Sequence, residues 1–251
     1  MNALVLCAGQ GTRLKSVIGD QPKATIKFGE HNLLQRILAE LLSIKAISQI
    51  YINVSRSATE LLKDLQLINY FPKIRILYET IPWGPSLTVY EAIKFSCQGL
   101  LVIHGDLLLE SGTLSKFVFG LQMQEIDKSF VAVHERPISN ATQMIVTDKS
   151  GYVDEIIWRK DSAFLFDQYR ENGLEYTFVD SGIYFFSPSS KDFLITPKFG
   201  SGISEGLLPN LLVEKMLKII PWVGLRYAID TSDKLDLARN VFNQYPEKFR
   251  I

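Results

Sequence analysis

The chain has 251 residues, 47% of them hydrophobic, with 27 Lys and Arg balanced by 27 Asp and Glu. That length suits one large α/β domain or two small ones, and a formal charge of zero supplies no basic field for non-specific nucleic-acid binding. Two cysteines, Cys7 and Cys97, lie in apolar stretches with no partner motif, which excludes a disulfide scaffold or a zinc ribbon, suits a reducing compartment and predicts two buried thiols.

The N-terminal run MNALVLCAG is too short and too uncharged for a signal sequence, and no apolar stretch approaches the roughly 20 residues of a membrane span. A cytoplasmic protein without a membrane partner is expected. ALVLCA (3–8) predicts a buried strand, and NLLQRILAELLSIK (32–45) a helix with Leu33, Leu34, Ile37, Leu38, Leu41 and Leu42 on one face. QIYINV (49–54) and KIRILY (73–78) predict strands on either side of a helical SATELLKDLQL. SLTVYEAIKFS (86–96) is again helical and leads into LLVIHGD (100–106), a near-continuous apolar run of the kind covered on both faces. This alternation argues a Rossmann-like, doubly wound α/β sheet, mixed but mostly parallel.

From about residue 129 the segments become strand-rich: SFVAVHE, TQMIVTD, GYVDEII and TFVDSGIYFF. A helix is predicted at SEGLLPNLLVEKMLK, a strand at LRYAID and a closing helix from about 232. With no repeat or flexible linker, residues 1–251 read as one domain, in which 129–251 elaborates the sheet begun by 1–128.

The stretch LCAGQGTRL carries the first chemical signal. A dinucleotide-binding fingerprint would need a third glycine where Leu14 stands and an acid closing the second strand, and a Walker loop would need Gly-Lys-Ser/Thr where Thr12-Arg13 stands. A plain turn with a surface arginine is the unremarkable alternative. In the remaining reading, Gly9 and Gly11 let backbone N–H groups approach a triphosphate while Arg13 and Lys23 neutralise the phosphates that leave as pyrophosphate.

LCAGQGTRL followed by Pro22-Lys23 resembles the signature of the sugar-1-phosphate nucleotidyltransferases. YETIPWGPS, VIHGD, VDSGIYFFSP, ISEGLLP and YAIDTSDKLDLA are similar to that family's base-reading loop, Gly-Asp strand end, sugar-contacting strand and closing segments. The resemblance implies a nucleotide site of Leu6, Ala8, Gly9, Gly11, Thr12, Arg13, Glu79, Gly84, Pro85 and Ser86. It implies catalytic roles for Arg13, Lys23 and Asp106, Mg²⁺ as cofactor, and a sugar 1-phosphate as acceptor. No hexapeptide-repeat tail of the kind that trimerises some relatives follows, so a monomer or homodimer is expected.

Mg²⁺ prefers carboxylate oxygens, and the resemblance assigns Asp106 to it. The second family aspartate, aligned on Thr231, falls at Ala228, and the glycine position holds Asp230. Two residues along a strand returns to the same face, so Asp230 is the expected second ligand, as in the Ile-Asp-Ser/Thr segment of phosphocholine-type cytidylyltransferases. An aspartate capping the closing helix is the structural alternative, with Thr231 or Ser232 equally able to cap. No general base is required, because a sugar phosphate is already ionised at neutral pH, and His104 reads as a strand-end residue.

For the base, Glu79 stands where relatives using dTTP or UTP carry glutamine. An ionised carboxylate matches the paired donors of guanine, so GTP is favoured over CTP, unless Glu79 is only a strand-end residue facing solvent. For the acceptor, Asp180, Ser181 and Gly182 match the sugar-binding strand, Glu205 matches a sugar-contacting glutamate, and Arg159 or Lys160 falls near the family lysine that holds the acceptor's phosphate. Trp83 reads equally as a base-stacking lid or as loop packing. Mannose and heptose 1-phosphates are the expected acceptors, with a CTP-dependent enzyme for a sugar phosphate or phosphorylated alcohol and a non-catalytic paralogue as alternatives. A dinucleotide-dependent oxidoreductase ranks third in class.

Overall fold

The structure is a computed structural model that describes residues 1–9, 11–55, 72–81, 83–124, 127–134, 143–158 and 177–251. Its strands are β1 (Asn2–Leu6), β2 (Lys27–Phe28), β3 (His31–Asn32), β4 (Gln49–Ser55), β5 (Ile74–Glu79), β6 (Leu100–His104), β7 (Leu107–Leu109), β8 (Ser129–His134), β9 (Gln143–Thr147), β10 (Val153–Trp158), β11 (Thr177–Phe186), β12 (Leu217–Pro221) and β13 (Arg226–Ala228). The α-helices are α1 (Lys15–Ile18), α2 (Leu33–Ser43), α3 (Pro85–Ile93), α4 (Thr113–Gln122), α5 (Ile203–Gly206), α6 (Leu208–Val213) and α7 (Ser232–Gln244).

Strands β5, β4, β1 and β6 lie side by side and parallel, and β11 joins antiparallel to β6, carrying the sheet into the second half of the chain through β9 and β8. Strand β12 closes the path by pairing parallel with β8. The sheet is doubly wound, as the sequence predicts. Ala3 and Val5 of β1 face a core with Leu34, Ile37, Leu38 and Leu41 of α2 and Leu114, Phe117 and Leu121 of α4. Leu4 faces the opposite core with Val89 and Ile93 of α3 and Leu208 and Leu211 of α6. Alternate side chains of a strand point to opposite faces, so a strand buried on both must be apolar throughout.

Helix α2 starts where the sequence provides a reciprocal cap: Asn32 Oδ1 accepts from Gln35 N at 2.8 Å, and Gln35 Oε1 accepts from Asn32 N at 2.9 Å. Three expectations are corrected. The single helix over SEGLLPNLLVEKMLK is two short ones, because Pro209 cannot continue the hydrogen bonding of α5. Beyond them Lys215, at φ 49°, turns the chain into β12. Cys97 is exposed, while Cys7 is buried with its thiol pushed up by burial and then by Asp106. The helical reading of SATELLKDLQL lies outside the described residues. No described helix is long and apolar enough to cross a membrane.

Candidate active site

The carboxyl ends of β1, β4, β5 and β6 open onto a cavity of about 430 Å³, where ligands of open α/β sheets bind. Leu6, Ala8, Gly9, Gly11, Lys23, Glu79, Gly84, Pro85 and Asp106 line it, joined by Cys7, Asn53, His104, Gly105 and Gly200, which the sequence did not single out as ligand-binding. Gly11 sits at φ 62° and accepts from Leu14 N at 2.9 Å, so the chain leaves β1 in a turn that only glycine adopts without strain. The stem of Lys23 packs over this turn, its Cγ 3.5 Å from where a Gly11 side chain would begin.

Gly105 has a steric reason to be glycine. A Cβ there would stand 2.7 Å from Cys7 Sγ and 2.8 Å from the Leu6 carbonyl, and Gly105 N donates to that carbonyl at 2.9 Å. The ends of β1 and β6 are thereby drawn together, and Asp106 is delivered beside the glycine turn. Lys23 Nζ meets Asp106 Oδ2 at 3.0 Å.

Asp230 follows β13, which pairs with β7, and Ile229 N donates to the Asp106 carbonyl at 2.8 Å. Its carboxylate faces Arg13 at 3.4 Å and Lys234 at 2.8 Å. The cap of α7 is Thr231, whose Oγ1 accepts from Lys234 N, so Asp230 is not serving as that cap. Asp106 and Asp230, each partly open to solvent and each already facing a cation, offer the hard oxygen donors that Mg²⁺ prefers. Among the described residues there is no cluster of three or more His, Cys, Asp and Glu able to hold a metal, so such an ion would complete its shell with water and phosphate oxygens.

Glu79 ends β5 and is 2% exposed, so it does not face solvent. Its Oε1 accepts from Asn53 Nδ2 at 2.7 Å and from the Thr88 hydroxyl, and its Oε2 accepts from Trp83 N at 3.1 Å. Asn53 Oδ1 in turn accepts from Cys7 N at 2.6 Å, so the network ties β5, β4 and the end of β1 into one wall. A two-toothed pairing with guanine would require Oε1 to release Asn53 or Thr88.

The loop that leads into α3 is closed from the far half of the chain. Gly200 N donates to the Trp83 carbonyl at 2.9 Å, and Ser86 Oγ, fully buried, donates to the Gly202 carbonyl at 2.6 Å. Trp83 is thus held through its backbone, and the Ser86 hydroxyl is committed within the protein.

On strand β11, Asp180 accepts from Gln143 Nε2 at 2.7 Å, Tyr184 Oη at 2.5 Å and Gly182 N at 2.6 Å. Burial, then Asp180, raises the Tyr184 pKa, so this phenol remains a donor. Ser181 is buried with its hydroxyl unpartnered among the described residues, and Gly182, at φ 70°, leaves the space beside His104 and Arg226 open. Glu205 reaches back to Gly202 N at 3.3 Å, making Gly202, not Ser204, the cap of α5. Thr12, Arg13, Ser86, Asp180, Ser181, Gly182, Glu205 and Asp230 lie outside the cavity lining, and Arg159 and Lys160 lie outside the described residues.

A doubly wound sheet with a glycine turn and two cation-carboxylate pairs has the parts with which a nucleotidyltransferase would hold a triphosphate. The chain matches the MobA-like NTP transferase domain over residues 3–139, more than half of its length, and belongs to that family. It is 28% identical, over 204 residues, to the D-glycero-alpha-D-manno-heptose 1-phosphate guanylyltransferase of Campylobacter jejuni, covering 79% of this chain and 82% of the relative. In fold it is similar to HddC from Yersinia pseudotuberculosis (TM-score 0.70, 22% identity, covering 96% and 99% of the two chains). It is also similar in fold to the inositol-1-phosphate CTP transferase from T. maritima (TM-score 0.73, 17% identity, covering 100% and 98%).

Proposed function

We propose that this nucleotidyltransferase transfers a nucleoside monophosphate from GTP to a sugar 1-phosphate of the mannose or heptose type, releasing pyrophosphate. The observation that carries the reaction class is the meeting of Lys23 with Asp106, and of Arg13 with Asp230, beside a glycine turn at the carboxyl ends of the parallel strands. The likeness to a heptose 1-phosphate guanylyltransferase supports the choice of GTP and acceptor.

The sugar phosphate attacks as the anion it already is, so the site's task is to position two anions and balance their charge. Gly9 and Gly11 lie against the triphosphate, and Lys23 and Arg13 offset the charge that builds on departing pyrophosphate. Asp106 and Asp230 would hold Mg²⁺, which when bound neutralises phosphate oxygens that otherwise repel each other.

A CTP-dependent reaction is the second reading. It is favoured by the internal commitment of Glu79, which weakens the guanine pairing, and by the likeness in fold to a CTP transferase.

The test is thermal unfolding with Mg²⁺ and each of GTP, CTP, UTP, dTTP and ATP, followed by product formation with mannose 1-phosphate and heptose 1-phosphate. A nucleotide at 100 times its Kd stabilises the protein by about 2.7 kcal/mol, a visible shift. A shift confined to GTP supports the leading reading and one confined to CTP the second, while no shift with any of the five overturns both. Asp106→Asn is expected to lower turnover by about 1,000-fold while weakening nucleotide binding only moderately. Undiminished pyrophosphate release by that variant would remove Asp106 from the chemistry.

A further inference from the structure

Arg226 has no part in the reading above, yet it stands between the two halves of the site. It opens β13 opposite Leu109 of β7, and its Nε donates to the Ser181 carbonyl at 2.7 Å. That bond fixes the plane of the guanidinium. One terminal nitrogen, Nη2, lies 3.5 Å from where a Gly182 Cβ would stand, and the His104 ring lies 3.4 Å from the same point. Neither terminal nitrogen of Arg226 has a hydrogen-bond or ion-pair partner among the described residues.

Burial lowers the Arg226 pKa, and Asp180, Asp106 and Asp230 are near enough to oppose that without closing on the guanidinium. A guanidinium half-withdrawn from water, with two unmet donors in one plane, fits two oxygens of a phosphate better than any single neutral group. Gln143 Oε1, Ser181 Oγ and the Nε2 atoms of His104 and His134 are buried without hydrogen bonds among the described residues. All four belong to residues in or beside the Val179–Gly182 stretch. Buried polar groups left unmet around one space mark the place of a polar ligand.

We propose that Arg226 holds the phosphate of the acceptor, a phosphomonoester, through its two free terminal nitrogens, between the Asp180–Gly182 segment and the Asp106 and Asp230 carboxylates. The assignment deepens the function proposed above and rests on its acceptor half. The triphosphate is a poorer occupant, because Arg226 does not line the cavity that Gly9, Gly11 and Lys23 share.

The first probe is inorganic phosphate, read as the rise in thermal midpoint over chloride at matched ionic strength. Wild type, R226Q, R226K and R13Q are compared; R226K keeps the stem and the charge should R226Q fail to fold. Phosphate is expected to raise the midpoint of wild type and R13Q, to raise that of R226K less, and to leave R226Q unmoved. No rise in wild type, or a rise that survives in R226Q, overturns the assignment whether or not the protein turns over a sugar phosphate.

The second measurement is steady-state turnover with Mg²⁺, GTP and mannose 1-phosphate. R226K is expected to raise KM for the phosphomonoester about 10- to 100-fold, with KM for the nucleotide changed less than about twofold. Equal rises in both would assign Arg226 a merely structural role and overturn the proposal. A wild type that binds phosphate through Arg226 but forms no nucleotide sugar leaves the assignment standing and overturns the proposed reaction.

Discussion

Glu79 shows how one side chain's surroundings constrain its use. Its carboxylate accepts from Asn53, Thr88 and Trp83 N, so replacing it with glutamine sets an amide donor against donors already there. Glu79→Gln is therefore expected to cost about 1–3 kcal/mol of stability without nucleotide, measured by urea unfolding. An unchanged midpoint would show that the network is dispensable.

His134 gives a pH dependence. Burial, then the neighbouring Arg226 charge, lowers its pKa to about 4, against the opposing pull of Asp180, while an unfolded histidine titrates near 6.5. Between these values the unfolded state binds more protons, so stability falls as pH drops from 6.5 to 4 and is flat above 6.5 for this group. The ring is only partly buried, so solvent screening reduces the effect to about 1 kcal/mol. Comparing wild type with His134→Gln at pH 4.5 and 7 checks it: the variant is expected to lose less on acidification.

At the scale of elements, the site depends on loops meeting from distant parts of the chain. Gly84, at φ 83°, precedes α3, and a Cβ there would stand 2.7 Å from Gly200 Cα. Gly84→Ala is expected to destabilise the protein by about 1–3 kcal/mol and to raise KM for the nucleotide, because the loop around 200 must back away from the cavity it lines. Calorimetry and steady-state kinetics on the one variant check both. The glycines of the turn and the Gly-Asp pair were legible in the sequence because their spacing after an apolar run is local. The contact of Gly84 with Gly200 was not, since 116 residues separate them and no periodicity links them.

The same contrast holds for helix and strand. Helix α2 is legible because its apolar face and its cap lie within one segment. The helix predicted over SEGLLPNLLVEKMLK runs two residues into β12, because what makes LKIIP a strand is the open edge of β8. Secondary structure of short apolar runs follows the partner available, and a linear pattern cannot name that partner.

At the scale of the molecule, the continuity of the sheet sets the expectation for unfolding. Strand β11 pairs with β6 from the first half and with β8 and β9 from the second, while β12 returns to β8. One cooperative transition is expected, with coincident circular-dichroism and tryptophan-fluorescence curves. Two separated transitions would show halves that fold independently. A fragment of residues 1–128 is expected to aggregate, because β6 would present a bare apolar edge where β11 now pairs.

Alone, the sequence determined the doubly wound α/β class, the glycine turn with its two cations, and an aspartate, Asp106, just beyond an apolar strand. Each of these is written in a short segment, where apolar periodicity or turn chemistry acts between near neighbours. Tertiary structure decided that Glu79 is enclosed by Asn53, Thr88 and Trp83, that Arg13 faces Asp230 across 217 positions, and that Arg226 reaches Ser181 on β11. These juxtapositions arise where strands and loops far apart in the chain end at one edge of the sheet, and such proximity depends on the packed sheet rather than on any local pattern.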